Sequence, residues 1–379
     1  MAEFVFTEEQ AALRAAVRKF NAENFGEDSV RRLMESEPTF DTRVWARLGA
    51  ELGVLGLAVP EADGGVGGTL VDQAIAVEEL GAALACGPLF GTVYLAISAL
   101  VAAPPSEVRS ELLGDLAEGR RTAAFAVGDR AGAFDPSATT VTVTGSALSG
   151  VVERVVDAGD ADVLLVAARG ADGVGLYAVL ASDAQRSRLV TMDLTRPQAT
   201  VRLVDASARL IVGPGDAERV ITHALQVGSM LLAAEQVGAG QHLLDLAVEY
   251  AKSRLQFGRQ IGSFQAVKHK LADLLVDIEH ARSTAYHAAW ALTDGTDDPA
   301  LAVSIAQATT SAALSRIAAG AIQVLGGIGF TWEHQAHLYF KRACTAAALL
   351  GTAEQHRDRI AALVLDTASA ELAPPVAVG

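Results

Sequence analysis

The densest chemistry in the chain lies in the run YAKSRLQFGRQIGSFQAVKHKLAD, from Tyr250 to Asp273. It reads as the end of one helix, a glycine turn and the start of another helix, and it carries Arg254, Arg259, Lys268 and Lys270. A planar, permanently charged guanidinium at such a turn suits a pyrophosphate, and Phe257 suits the face of an aromatic ring. A solvated loop rich in surface charge fits the same residues equally well. His334 and His337 put two imidazoles at i and i+3, but HExxH is not matched and no third ligand is evident, so hydrogen-bonded helix-face histidines are the better reading. Cys86 and Cys344 lie in no CxxC or Cys/His cluster and read as two core thiols. The glycine-rich loop Gly64–Gly68 does not fit GxGxxG, and neither GxxxxGKS/T nor GxSxG occurs.

The elements that must position these groups change period twice. Thr7 is an N-cap with Gln10 three residues on, and apolar residues at helical spacing follow to Phe20. Trp45–Leu52 and Val71–Leu84 continue the helical pattern on either side of the glycine-rich loop. From about Thr122 to Val212 the segments are short and rich in Val, Ala and Thr: Ala123–Val127, Thr140–Thr144, Val163–Ala167, Gly175–Leu180 and Thr200–Val204. Long helical stretches return over Ala217–Arg254, Phe264–Thr293 and Leu301–Leu325, with shorter ones after Thr331 and after Thr352. The fold class expected is α+β, with a helical domain over 1–120, a β-barrel or sandwich over 121–214, a four-helix bundle over 215–368 and a flexible tail over 369–379.

A chain of 379 residues, half of them apolar, can bury a large core. Thirty basic residues against 45 acidic ones give a net charge of −15, which disfavours nucleic acid and anionic lipid. With neither a signal-like start nor an uncharged run long enough to span a bilayer, the expectation is a cytoplasmic protein with no membrane partner.

The Tyr250–Asp273 segment resembles the R-x-x-F-G-x-x-I-x-x-F-Q-x-x-x-x-x-L-A-D signature of the acyl-CoA dehydrogenase superfamily. Leu52–Glu61 with Gly64-Gly65, Glu78-Glu79-Leu80-Gly81, and Gln323–Phe330 with its Q-x-x-G-G-x-G-[YF] turn resemble other elements of that family in order and spacing. The resemblance covers the whole chain. It implies a flavoprotein with FAD between the β domain and the helical bundle that desaturates acyl-CoA thioesters at Cα–Cβ. It further implies that Arg254, Phe257 and Gln265, with Gln256, meet the FAD of a neighbouring subunit. Gln323, Gly326 and Gly327 would approach the same cofactor, and Thr352 would be a further contact.

Proton abstraction next to a thioester carbonyl needs a carboxylate. The two positions from which the family supplies one align with Leu350 and Gly228, the latter followed by Ser229. Neither residue takes a proton. The stretches Val127–Ala133 and Val155–Asp162 also depart from the family's flavin-ring elements, with Val156 where a hydroxyl is expected. Glu354 and Glu235 lie one and two helical turns from the two base positions and are the weak candidates for a displaced base.

Two readings follow. One is a self-sufficient FAD enzyme with a displaced base. The other is a base-less subunit of a hetero-oligomer, resembling actinobacterial members that pair with a glutamate-bearing homologue to desaturate polycyclic acyl-CoA. Under both, the expected partners are an acyl-CoA, an electron-transfer flavoprotein or similar acceptor, and a homologous or identical subunit, with no metal.

Overall fold

The computed structural model describes residues 6–130, 133–295 and 297–366. The chain opens with six α-helices: α1 (Glu8–Asn24), α2 (Glu27–Leu33), α3 (Thr42–Ala50), α4 (Leu70–Ala82), α5 (Ser98–Ala102) and α6 (Glu107–Ala117). Thr7 and Gln10 close a capping box at α1, and Thr69 and Asp72 do the same at α4. Leading into α5 is a wide π-helical run, Phe90–Ile97, every residue of which is buried. Its sequence is too uniformly apolar to show a period.

Nine strands follow among the described residues: β1 (Ala123–Ala126), β2 (Asp129–Arg130), β3 (Ala133–Phe134), β4 (Thr142–Thr144), β5 (Ala147–Val156), β6 (Val163–Gly170), β7 (Gly173–Leu180), β8 (Gln185–Arg188) and β9 (Gln198–Val212). Pairing runs β6–β4–β5–β9–β7 and returns from β7 to β6, which closes a small barrel. β1 joins parallel to β6, β8 lies on β9, and β2 and β3 form a separate hairpin. The barrel has its own core, including Leu148, Val152, Leu164, Val166 and Val201. Strand β5 is absent from the expected set because two register shifts, at Leu148/Gly150 and Val152/Val155, break its alternation.

The last third is helical. It comprises α7 (Ala217–Ser253), the hairpin strands β10 (Leu255–Gln256) and β11 (Arg259–Gln260), α8 (Gln265–Asp294), α9 (Pro299–Leu325), α10 (Ala336–Ala346) and α11 (Ala353–Ala361). Helix α7 is 37 residues long and touches every domain. Helix α10 runs antiparallel beside it, with Gln335 at His242 and Arg342 at Glu235; the chain that follows brings Leu350 to Gly228. Helices α4 and α7 cross in backbone contact: a Cβ on Gly238 would lie 1.8 Å from the Glu78 carbonyl oxygen, and one on Gly81 2.4 Å from that of Glu235.

Helix α9 and the turn after it, Pro299–Phe330, are long and apolar enough by length and composition to cross a membrane. Half of that stretch is buried against the protein, and its Arg316 pairs with Asp277 of α8. The tail expected from residue 369 lies outside the described residues.

Candidate functional site

Two openings meet at the turn between α10 and α11. The first, a cleft of about 520 Å³, lies between the β domain and the helices. Val127, Phe134, Val155, Met192 and Leu349 give it an apolar floor, and Thr191, Gln198, Thr345 and Thr352 supply hydroxyl and amide groups. The second, about 740 Å³, lies among α7, α9 and α11 and is lined by Phe134, Leu225, Ser229, Val303, Leu350 and Arg359, among others. Phe134 belongs to both. A flat heteroaromatic ring that needs hydrogen-bond donors at its edge fits the first, and an apolar chain or ring system fits the second.

The two expected base positions converge. A Cβ on Gly228 would lie 3.5 Å from Leu350 Cδ1, and it would also meet Leu95 Cδ2 at 2.5 Å. Leu350 is buried and holds φ +60°, followed by Gly351 at φ +105°. The turn is fixed from below by His356, whose Nε2 donates to the Leu350 carbonyl at 3.0 Å. Burial, with the charge of Arg359 adding to it, pushes the His356 imidazolium pKa down to about 4. The folded protein therefore rejects a proton that the unfolded chain accepts below about pH 6.5. The contribution is complete above pH 6.5 and is lost as pH falls towards 4, a change of roughly 2–3 kcal/mol. Urea midpoints measured from pH 7 to pH 4.5 should fall accordingly, and His356→Gln, which keeps a donor for Leu350, should flatten part of that slope.

Glu354 is a correction. The left-handed residues 350 and 351 interrupt the helix that would have put it one turn above Leu350. It stands instead in the first turn of α11, with its side chain 77% exposed and paired to Arg357. Glu235 is likewise no base. Arg196 and Arg342 hold both its oxygens and Tyr94 donates to it at 2.7 Å. Burial alone would raise its pKa, but the two guanidinium charges outweigh burial and hold it down to about 2. One carboxylate does line the second of these openings, and sequence reasoning missed it: Asp135, which caps the turn at Pro136–Ala138 by accepting the Ser137 amide at 2.8 Å. Its local signal, D-P-S, marks a turn and says nothing of the cavity.

Val156 is buried in the main core and does not line the cleft; Val155, its neighbour, does. Of the Val127–Ala133 stretch, Ala131 and Gly132 lie outside the described residues. His334 Nδ1 accepts the Ala336 amide, and the His337 ring stands edge-on to Trp332 at 4.6 Å.

The remaining expected residues gather at the other end of the bundle. The Arg316–Asp277 pair and the packing of Leu274 on Gly320 set α8 antiparallel to α9, so Gln265 begins α8 where Gln323 ends α9. Arg254, Gln256, Gln265, Gln323, Gly326 and Gly327 are all exposed there. Phe257 is 90% exposed at φ +54°. Gly326 takes φ +69°, ψ −148°, a conformation open only to glycine, and a Cβ on Gly326 or Gly327 would meet nothing within 4 Å. Only Thr352 of the expected set lies at the cleft.

A larger cavity of about 800 Å³ lies apart from this chemistry, between α1, α4, α7, α8 and α10. Five of its charges pair with one another, Arg14 and Arg282 on Glu78 and Arg14 and Arg18 on Glu79, while Glu27 is held by Arg31, Asp245 by Gln241 and His242 by Gln335.

Comparison with known proteins agrees with this architecture. The family description "Acyl-CoA dehydrogenase, N-terminal domain" matches residues 7–120, and "Acyl-CoA dehydrogenase, C-terminal domain" matches residues 218–365. The chain is 39% identical over 343 residues to acyl-CoA dehydrogenase IpdE2 of Mycobacterium tuberculosis, covering 90% of this chain and 93% of that protein. Among solved structures it is similar to a variant of the Tcur3481-Tcur3483 steroid ACAD, with TM-score 0.86, 30% identity, and 96% and 99% coverage of the two chains. It is also similar to the ChsE4-ChsE5 complex from Mycobacterium tuberculosis, with TM-score 0.86, 28% identity, and 98% and 100% coverage.

Proposed function

The chain belongs to the acyl-CoA dehydrogenase family, and from that premise we propose that it is the base-less subunit of a paired, FAD-dependent dehydrogenase. The observation that carries the reading is the convergence of Gly228 on Leu350, which lines the cavity wall, with no carboxylate at either. Two similar structures bear two-component names, and one of them is called a steroid ACAD, which supports a homologous partner and a bulky acyl group. We place the complex in the cytoplasm, passing electrons to an electron-transfer flavoprotein or similar acceptor.

The residues present fit FAD. The cleft offers an apolar floor with Thr191, Gln198, Thr345 and Thr352 at hand, and the far end of the bundle offers Arg254, Phe257, Gln265 and an open glycine backbone. The chemistry that FAD would supply when bound is acceptance of a hydride from Cβ, with the α-proton going to a carboxylate and the thioester left α,β-unsaturated. Leu225, Val303, Leu350 and Phe134 keep water from the acyl group, while Ser229 and Gln226 supply polar contacts in the same wall. Arg254 would hold an anionic phosphate of the neighbour's cofactor. Arg254→Ala should therefore weaken FAD retention by the assembled complex by about 1.5–3 kcal/mol, roughly tenfold to a hundredfold, measured by flavin absorbance after gel filtration.

A second reading has its own observation, the presence of Asp135 in the acyl cavity. The test is acyl-CoA-dependent dye reduction by the chain alone and with a glutamate-bearing homologue. Inactivity alone and activity with the homologue support the subunit reading. Robust turnover alone, abolished by Asp135→Asn, would replace it with a self-sufficient enzyme.

A further inference from the structure

The two walls of the 520 Å³ cleft are joined directly behind its surface. One wall is the loop carrying Thr191 and Met192, and the other is α10 and its extension, carrying Cys344, Thr345 and Ala348. Asp193, the next residue of the loop, accepts Arg342 Nε at 2.9 Å, two residues before Cys344. The same guanidinium donates to the Thr195 carbonyl at 2.8 Å and to its hydroxyl at 2.7 Å. It also donates to Glu235 of α7 at 2.7 Å. Arg196, two residues before the cleft residue Gln198, donates to both Glu235 oxygens at 2.6 Å and lies over the Phe90 ring. Tyr94, from the π-helical run, completes the set.

Two positive and two negative groups, each 5% exposed or less, thus form a neutral cluster that touches the helical N-terminal region, the β domain and the bundle. A buried cluster of this kind adds little net stability over an apolar core of the same shape; what it supplies is a fixed geometry. We propose that Glu235 is a positioning residue that, through Arg342 and Arg196, sets the separation of the two cleft walls and so shapes the flavin site. The assignment of the cleft to flavin rests on the proposed function; the clamp itself does not.

Cys344 gives a readout that needs no cofactor. It is the exposed cysteine of the pair and lies on the helix wall, whereas Cys86 is buried and its thiol pKa is pushed up to about 12. The experiment follows the reaction of Ellman's reagent with the full chain, well below its melting temperature, with and without FAD. Cys344→Ser identifies the phase. Glu235→Gln removes the charge and keeps the shape. Asp193→Asn removes the charged link to the cleft loop and serves if Glu235→Gln does not fold; because burial and the Asp193 charge together raise the Cys344 thiol pKa, its rate is followed across pH and compared at the plateau where the thiol is fully ionised.

In either folded variant the Cys344 rate should rise about tenfold and protection by FAD should need about tenfold more cofactor. Melting temperature alone would report a merely structural role. Folded variants with an unchanged Cys344 rate and unchanged FAD protection overturn the proposal. The FAD arm is run on the full chain assembled with its glutamate-bearing homologue; if FAD fails to protect Cys344 of the wild-type chain even there, the cofactor reading is lost, and the rate comparison still decides the clamp.

Discussion

In a complex of this chain with a glutamate-bearing homologue, changing the homologue's base to glutamine is expected to lower kcat by about 10²–10⁴-fold, the usual worth of a positioned general base. The matching change here, Leu350→Ala, should leave kcat within a few-fold, because Leu350 lines the cavity and under the proposed function would meet the acyl group only as wall. The asymmetry follows from the geometry. A base must reach the α-proton directly or through one water, and under the proposed function the two points expected to supply it are here a branched aliphatic side chain and a hydrogen atom. Leu350→Glu should recover little. Its carboxylate would enter a 5% exposed position beside the apolar Leu95 and Gly228, where burial raises a carboxyl pKa. Stopped-flow flavin reduction in the reconstituted complex separates the chemical step from product release. Equal losses from both substitutions would contradict a division of labour between the subunits.

Gly238→Ala is expected to be among the most damaging single methyl additions to the chain. The new carbon would lie 1.8 Å from the Glu78 carbonyl oxygen and 2.9 Å from the Ala82 nitrogen. Both are backbone atoms of α4, and no rotamer change relieves the overlap. The two helices must part by more than an ångström, opening gaps around Ala74, Val77 and Val237, all buried to 0% exposure. Overpacking that flexible neighbours absorb costs about 1–3 kcal/mol, and this site should exceed that range. Calorimetry should show a melting temperature lowered by several degrees or more, or aggregation in place of a folded product. Gly26→Ala is the control, because nothing lies within 4 Å of its added carbon and its φ is −63°. It should change stability by about 1 kcal/mol or less.

What the sequence disclosed was governed by the range of the interaction. The Thr7–Gln10 capping box spans three residues, and both partners can be read in one window. The long helices declare themselves by their period. Strand β5 does not, since its two register shifts exchange the faces of the alternation midway. Counting four residues as a helical turn puts Glu354 above Leu350, but the count holds only where the backbone is helical, and Leu350 and Gly351 are left-handed. Glu235 reads locally as one more acid on a helix, because its partners Arg196 and Arg342 stand 39 and 107 residues away. Asp135 reads as a turn residue for the same reason. The family signature needs no long-range partner to be read, since each motif lies in one window; Arg254 and Gln323, both exposed, stand at one end of the bundle.

Helix α7 has a consequence for stoichiometry. From Gly228, behind Leu350 of the cavity wall, to Arg254 at the far turn is 26 residues, and at 1.5 Å per residue that is about 39 Å along a single rod. One chain cannot bend that rod to bring both ends to the same cofactor. Under the proposed function each polypeptide therefore belongs to two sites, lending one end to each, and no complete site exists in a monomer. Occupancy of the cofactor then follows mass action between chains: dilution dissolves sites as well as complexes, and the apparent melting temperature of the flavin-loaded form rises with protein concentration. An excess of either partner in a mixed assembly would dilute the productive pairs, so balanced supply of the two chains becomes a determinant of activity in its own right.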